Sequence, residues 1–195
     1  MKLSTRSIVI IGMLGAISIV LGQTGLGLIP VPTPAGRATI LHIPAILAGI
    51  LEGPVVGAFV GLIFGIYSFL TAPSALAADP IVSIVPRLFI GVVSYYVYKF
   101  AGKNIYLSSA LAAIAGTATN TVGFLGLGVL QGYIPAGGPG TVNILSFLGL
   151  GVLQGYIPSW YVAMGIATVH GVPEAVLAVL IVVVLVKAFK KSNLI

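Results

Sequence analysis

Arg87 interrupts an apolar run that begins at Pro80, and a charge in such a setting calls for a physical reason. A charged side chain at the centre of a bilayer costs at least about 2.5 kcal/mol on insertion scales, so it turns inward and finds a partner. Two readings stand side by side: a cationic contact for an anionic ligand group, or a structural pair with a helix end or with Asp79. Arg37 follows a stretch with Pro30, Pro32 and Pro34, and reads either as a gate or ligand contact or as a solvated loop arginine. His42 lies two residues before Pro44 in an apolar segment, where a satisfied core histidine competes with a ligand contact. His170 and Glu174 are four residues apart, and Pro173 fits the first position of a helix. Glu174 then falls in a first turn, where the helix dipole favours a carboxylate; a hydrogen bond to a ligand is compatible with that place. Asn120, in the polar run from Gly116 to Thr121, serves equally as glue between helices or as a binding-site amide.

These residues do not assemble into a catalytic set. The chain has no G-x-S-x-G, no H-E-x-x-H and no phosphate-cradling P-loop, so it reads as a binding protein that does not itself hydrolyse ATP. Two histidines and three acids, scattered, make a poor metal site, and zero cysteines remove thiolate chemistry. No cofactor is expected.

The elements that must position these residues are membrane helices. Of 195 residues 58% are hydrophobic and only 6% are charged, against roughly 25% charged in a soluble domain. So sparse a charge cannot cover a water-facing surface, and the exterior faces lipid. The net charge of +6 comes from only nine lysines and arginines, clustered mainly at the chain ends and in one loop, which speaks for topology and against a nucleic-acid partner. Hydrocarbon takes about 20 apolar residues per helix. Spans are read at 7–29, 39–51, 55–70, 80–100 and 105–130, with the core of a last one at 172–186. The first is read as a transmembrane helix, not a removed signal. Pro44 either starts or kinks the second, 30–37 is an extended loop, and 71–79 is another. Gly57, Gly61 and Gly65 form a small-residue stripe, as do Gly12 and Ala16 in the first span.

The segment from Phe124 to Pro135 recurs letter for letter from Phe147 to Pro158, an offset of 23 residues shared by Asn120 and Asn143. That is a tandem duplication around 120–158 within a single domain of residues 1–195. Lys2, Arg6, Lys99, Lys103, Lys187, Lys190 and Lys191 share one side if there are six spans. The expectation is therefore an all-α integral membrane bundle of six transmembrane helices with cytoplasmic N- and C-termini. One repeat copy is then a re-entrant or surface segment on the outer side.

From about Thr39 to Lys191 the chain resembles the S components of energy-coupling-factor (ECF) transporters. The stretch from Ile40 to Ala58 is similar to that family's second-to-third helix hairpin, and Asp79 to Gly91 to its fourth-helix opening. Thr119-Asn120-Thr121 and Gly171 to Ala175 match patterns of its fifth and sixth helices; the duplicated segment is the departure. The resemblance implies a six-helix subunit of a bacterial or archaeal cell membrane that binds a vitamin or related micronutrient at its outer face. It implies as partners a transmembrane T subunit and two cytoplasmic ATPases, with Gly12 and Ala16 on the docking face and the two loops acting as gates. Pro86-Arg87 and His42-Ile43-Pro44 look most like the pantothenate-type branch, with Arg87 or Arg37 as counter-ion to a carboxylate. Arg37, His42, Arg87, Asn120, His170 and Glu174 are the candidate binding residues. Folate, cobalamin and other vitamins stay open, as does a structural membrane protein without a ligand.

Overall fold

The computed structural model describes residues 3–30, 37–134 and 159–192. Among them the order is α1 (Thr5–Gln23), β1 (Leu28–Pro30), β2 (Arg37–Thr39), α2 (Ile43–Glu52), α3 (Pro54–Leu70), α4 (Pro80–Phe100), α5 (Ile105–Leu130) and α6 (Ser159–Lys191). The strands form one antiparallel hairpin, Leu28 opposite Thr39 and Pro30 opposite Arg37. The second repeat copy, 147–158, lies outside the described residues.

The polarity of the bundle is inverted relative to a soluble protein. Met13, Leu180 and Val184 are 62%, 59% and 64% exposed, whereas Ser83, Ser94, Thr117, Asn120 and Glu174 are buried. Water would disfavour that surface, and hydrocarbon favours it. α1, α4, α5 and α6 are long and apolar enough to cross a bilayer. The chain is a multi-pass, all-helical membrane protein apart from its short hairpin.

The expected spans at 80–100 and 105–130 are the bounds of α4 and α5. The first span ends earlier than expected, at Gln23, because Gly25 turns the chain with φ 75 and extended backbone follows. Pro44 starts a helix and does not kink one: α2 opens at Ile43 and holds ten residues. Ten residues rise about 15 Å, half of the roughly 30 Å of hydrocarbon. The expected span at 39–51 is thus a half-length helix entered through extended chain. Extended backbone at membrane depth must be buried and hydrogen-bonded. Ala38 and Leu41 are buried. Ile40 N–H donates to the Gly27 carbonyl at 3.0 Å, Leu41 N–H to Thr39 Oγ1 at 3.1 Å, and Ser18 Oγ to the Leu41 carbonyl at 3.2 Å.

Every residue of α2 from Ile43 to Ile50 is buried, as suits a helix that is apolar all round. It is the axis of the bundle, touching all five other helices. Gly53, at φ 95, reverses the chain from α2 into α3 in one residue, a conformation that glycine adopts without a Cβ penalty. The stripe of α3 then lies on α4. A Cβ on Gly61 would collide with the Arg87 carbonyl, one on Gly57 would stand 2.8 Å from Gly91 Cα, and one on Gly65 3.0 Å from Ile84 Cα. In α1 it is Gly15 and Gly22 that face the bundle, against Ile63 and Tyr67, while Gly12 and Ala16 are exposed.

Two contacts define one end of the bundle. Arg6 Nε pairs with Glu52 Oε1 at 2.6 Å, and Lys187 Nζ stands 5.2 Å from the Tyr106 ring centre. The start of α1, the α2–α3 turn, the α4–α5 connection and the end of α6 therefore lie together. The hairpin and the α3–α4 connection occupy the opposite end, where Tyr133 Oη donates to Asp79 Oδ2 at 3.2 Å.

Candidate functional site

Pro86 lies inside α4 and has no N–H for the carbonyl of Val82, four residues back. Arg87 supplies the missing donor: its Nη1 bonds the Val82 carbonyl at 2.8 Å. The buried guanidinium carbon stands 4.5 Å from the ring centre of Phe124 in α5 and 5.5 Å from that of Phe64 in α3. Such cation–π contacts contribute about 2 kcal/mol when desolvated. Arg87 Nε has no hydrogen-bond partner. Of the structural readings of Arg87, the pair with Asp79 does not form. Asp79 caps α4 instead, its Oδ1 accepting from Ile81 N–H at 2.8 Å and Val82 N–H at 3.0 Å.

Pro173 does not open the last helix, contrary to expectation; it lies inside α6, which begins at Ser159. Upstream of it, Ala163 and Ile166 are buried in a cluster with Leu125 and Ile134. That burial outweighs the roughly 3 kcal/mol a proline costs within a helix. Glu174 is consequently mid-helix, and the dipole of a first turn does not hold it. Two protein donors do: Thr39 N–H reaches Oε1 at 2.6 Å and Thr121 Oγ1 reaches Oε2 at 3.2 Å. Glu174 thereby ties the root of the hairpin and α5 to α6.

His42 is fully buried at the start of α2, and its Nε2 is 2.9 Å from Thr117 Oγ1 on α5. Asn120 follows Thr117 by about one turn, is buried, and leaves its Oδ1 without a partner. One more turn along α5 brings Phe124 onto Arg87, so Asn120 and Phe124 share a helix face beside α4. Arg87 and Glu174 are each held against α5, by Phe124 and by Thr121, and no ion pair joins the two among the described residues. His170 is buried one turn before Glu174, with Nδ1 3.2 Å from the Ile166 carbonyl. Arg37 forms the first residue of β2, two before Thr39; its side chain is not among those described.

Arg87, Asn120, Glu174 and His42 are thus drawn into one interior region by α2, α4, α5 and α6. Sequence reading missed Thr39, Phe64 and Phe124. Thr117 and Thr121 were visible as part of the polar run, at the i, i+3 and i+4 spacings that share a face with Asn120. Chemically, the region offers a cation with a free donor flanked by two aromatic rings, a free amide oxygen and a carboxylate. That set suits a small anion with further polar groups.

Residues 6–186 match the family of the ECF transporter, substrate-specific component. The chain belongs to that family. Over 106 residues it is 37% identical to the pantothenic acid transporter PanT of Lactococcus lactis subsp. cremoris (strain MG1363), covering 44% of this chain and 53% of that protein. The match therefore spans about half the length of this curated relative. Two solved structures share the fold of this S component. The S component of a bacterial ECF transporter, solved for its structure and mechanism, superposes with a TM-score of 0.60 at 18% identity, over 96% of this chain and 97% of that one. ThiT from Listeria monocytogenes superposes with a TM-score of 0.63 at 16% identity, over 95% of this chain and 96% of that one.

Proposed function

We propose that this S component captures a small vitamin carboxylate, pantothenate first, from outside the cell. The observation that carries the reading is Arg87: a buried guanidinium between two aromatic rings, with Nε unpartnered. A carboxylate docking there gains charge-assisted hydrogen bonds in a dry site. The free Asn120 Oδ1 is available to an amide or hydroxyl of the same ligand, and His42 and Glu174 border it. Arg37 and His170 are included as further contacts on the sequence alone. The likeness to PanT supports pantothenate, which combines a carboxylate with an amide and hydroxyls.

The rest of the reading is proposed on the distribution of charge and on the family. Six membrane passages put both termini in the cytoplasm of a bacterial or archaeal cell, since the shared end carries Arg6, Lys99, Lys103 and the lysines after Val186. Residues 1–195 form one transmembrane domain. Energy comes from two separate ATPases through a T subunit, for which the exposed Gly12 and Ala16 leave a smooth docking face. Isothermal titration of the purified chain with a panel of vitamins tests the substrate. One vitamin, pantothenate, should bind at one site per chain. Binding of folate or cobalamin in its place would overturn the choice of ligand, and heat from none of them would overturn vitamin capture.

A further inference from the structure

Between α3 and α4, on the outside of the bundle, runs an apolar groove lined by Val55, Ala58, Phe59 and Leu62 from one helix and Leu88 and Val92 from the other. It lies beside the seam where Gly57 and Gly61 bring the two backbones together, and it is not part of the candidate site. We propose that this groove holds an acyl chain of an anionic phospholipid whose phosphate rests on Lys99.

The placement of the charge is what selects this occupant. Leu88, Val92, Tyr95 and Lys99 recur at spacings of four, three and four, so they share one face of α4. Lys99 lies seven residues beyond Val92, about 10 Å along the helix. Its Nζ stands 5.7 Å from the centre of the Tyr95 ring, a residue one turn nearer the groove along α4. The groove begins near the α2–α3 turn, at the basic end of the bundle. Tyr96 and Phe100 are stacked and exposed there, as aromatic residues are at a membrane interface. The one acid at this end, Glu52, is engaged by Arg6 and Ser7 and does not oppose an incoming phosphate. An apolar slot that opens beside an interfacial lysine matches a diacyl lipid with an anionic headgroup.

Native mass spectrometry of the chain, released from micelles doped equally with dioleoyl phosphatidylglycerol and dioleoyl phosphatidylcholine, tests the assignment. The wild type should retain phosphatidylglycerol about fivefold over phosphatidylcholine, the ratio one lysine near an anionic surface supplies. Lys99→Gln should erase the preference, and Ala58→Phe, which fills the groove, should reduce retention of both lipids. Lys103→Gln removes the same charge off the groove face and should leave the preference intact. Glycerophosphate, which has the headgroup and no chains, should not compete. Equal retention of both lipids by the wild type would overturn the proposal, as would loss of preference in Lys103→Gln or unchanged retention in Ala58→Phe. Competition by glycerophosphate would reduce the site to a phosphate contact and overturn the acyl-chain assignment.

Discussion

Replacing Arg87 by Met removes the guanidinium but keeps an unbranched side chain between Phe64 and Phe124. Two losses follow, and they can be separated. The first is to stability: the Val82 carbonyl, orphaned by Pro86, loses the Nη1 donor it has at 2.8 Å. An unsatisfied buried acceptor costs about 1–3 kcal/mol, offset in part because a cation no longer has to be buried. The second is to binding: removing one partner of a buried charged pair costs about 2–5 kcal/mol, which raises Kd roughly 30- to 5000-fold. Pro86→Ala returns an N–H to the Val82 carbonyl. The double variant Pro86→Ala/Arg87→Met should therefore regain about 1–3 kcal/mol of stability over Arg87→Met and none of its affinity. Pro86→Ala alone should keep affinity within a few-fold of wild type. Thermal unfolding and isothermal titration in the same detergent read the two effects. If the double variant recovers binding as well as stability, Arg87 serves to repair α4 and is not a ligand contact.

Three further outcomes follow from contacts already described. Gly61→Val presses a branched side chain onto the Arg87 backbone and should cost about 1–3 kcal/mol with a lower Tm, while Gly126→Ala, whose added Cβ meets nothing within 4 Å, should hold or slightly raise Tm; equal Tm values would remove the close α3–α4 approach. Gly12→Leu/Ala16→Leu should leave ligand titration unchanged and abolish uptake in cells, because both residues face outward; loss of binding would mean they pack within the bundle. Glu174→Gln exchanges a charged acceptor for a neutral one at Thr39 N–H, a loss of about 1 kcal/mol. Hydrogen exchange of the Thr39 amide should quicken about fivefold, and an unchanged rate would show that Glu174 does not fasten the hairpin.

The helices that were legible in sequence are those whose ends carry chemical punctuation. α4 begins at Pro80 behind the capping Asp79, and α5 begins behind Asn104, whose side chain accepts from Tyr106 and Leu107. The sequence leaves the start of α2 between two readings of Pro44 and misplaces the start of α6, for opposite reasons. In α2 every residue from Ile43 to Ile50 is buried, so its apolar pattern has no polar face to mark where extended chain becomes helix. In α6 the run Gly171-Val172-Pro173-Glu174 imitates a helix start, and only packing against Leu125 and Ile134 shows that the helix is already under way. The buried polar groups of the candidate site were legible as far as polarity reaches: Arg87, Asn120 and Glu174 stand out because hydrocarbon does not accept them. Of their protein partners Thr121 was visible in the polar run; the others were not, since Thr39 meets Glu174 across 135 residues and the aromatic rings over Arg87 look like ordinary lipid-facing or core residues.

One sequence feature links the fold to the site. Each of three prolines stands beside a buried polar residue: Pro44 two residues after His42, Pro86 before Arg87 and Pro173 before Glu174. Each removes a backbone donor, two of them inside long helices. At membrane depth a carbonyl without its donor is tolerated only where protein, water or a ligand can satisfy it. Val82 shows the consequence, because its free carbonyl is what draws the Arg87 head group inward along α4. α2 adds a helix start at mid-bundle, and the extended chain before it brings the Thr39 N–H to Glu174. A bundle of uninterrupted helices would have satisfied its backbone and left no reason for these polar groups to converge. Here the interruptions lie on separate helices around one interior region, and that arrangement creates the polar capacity that the proposed capture of a small anion requires.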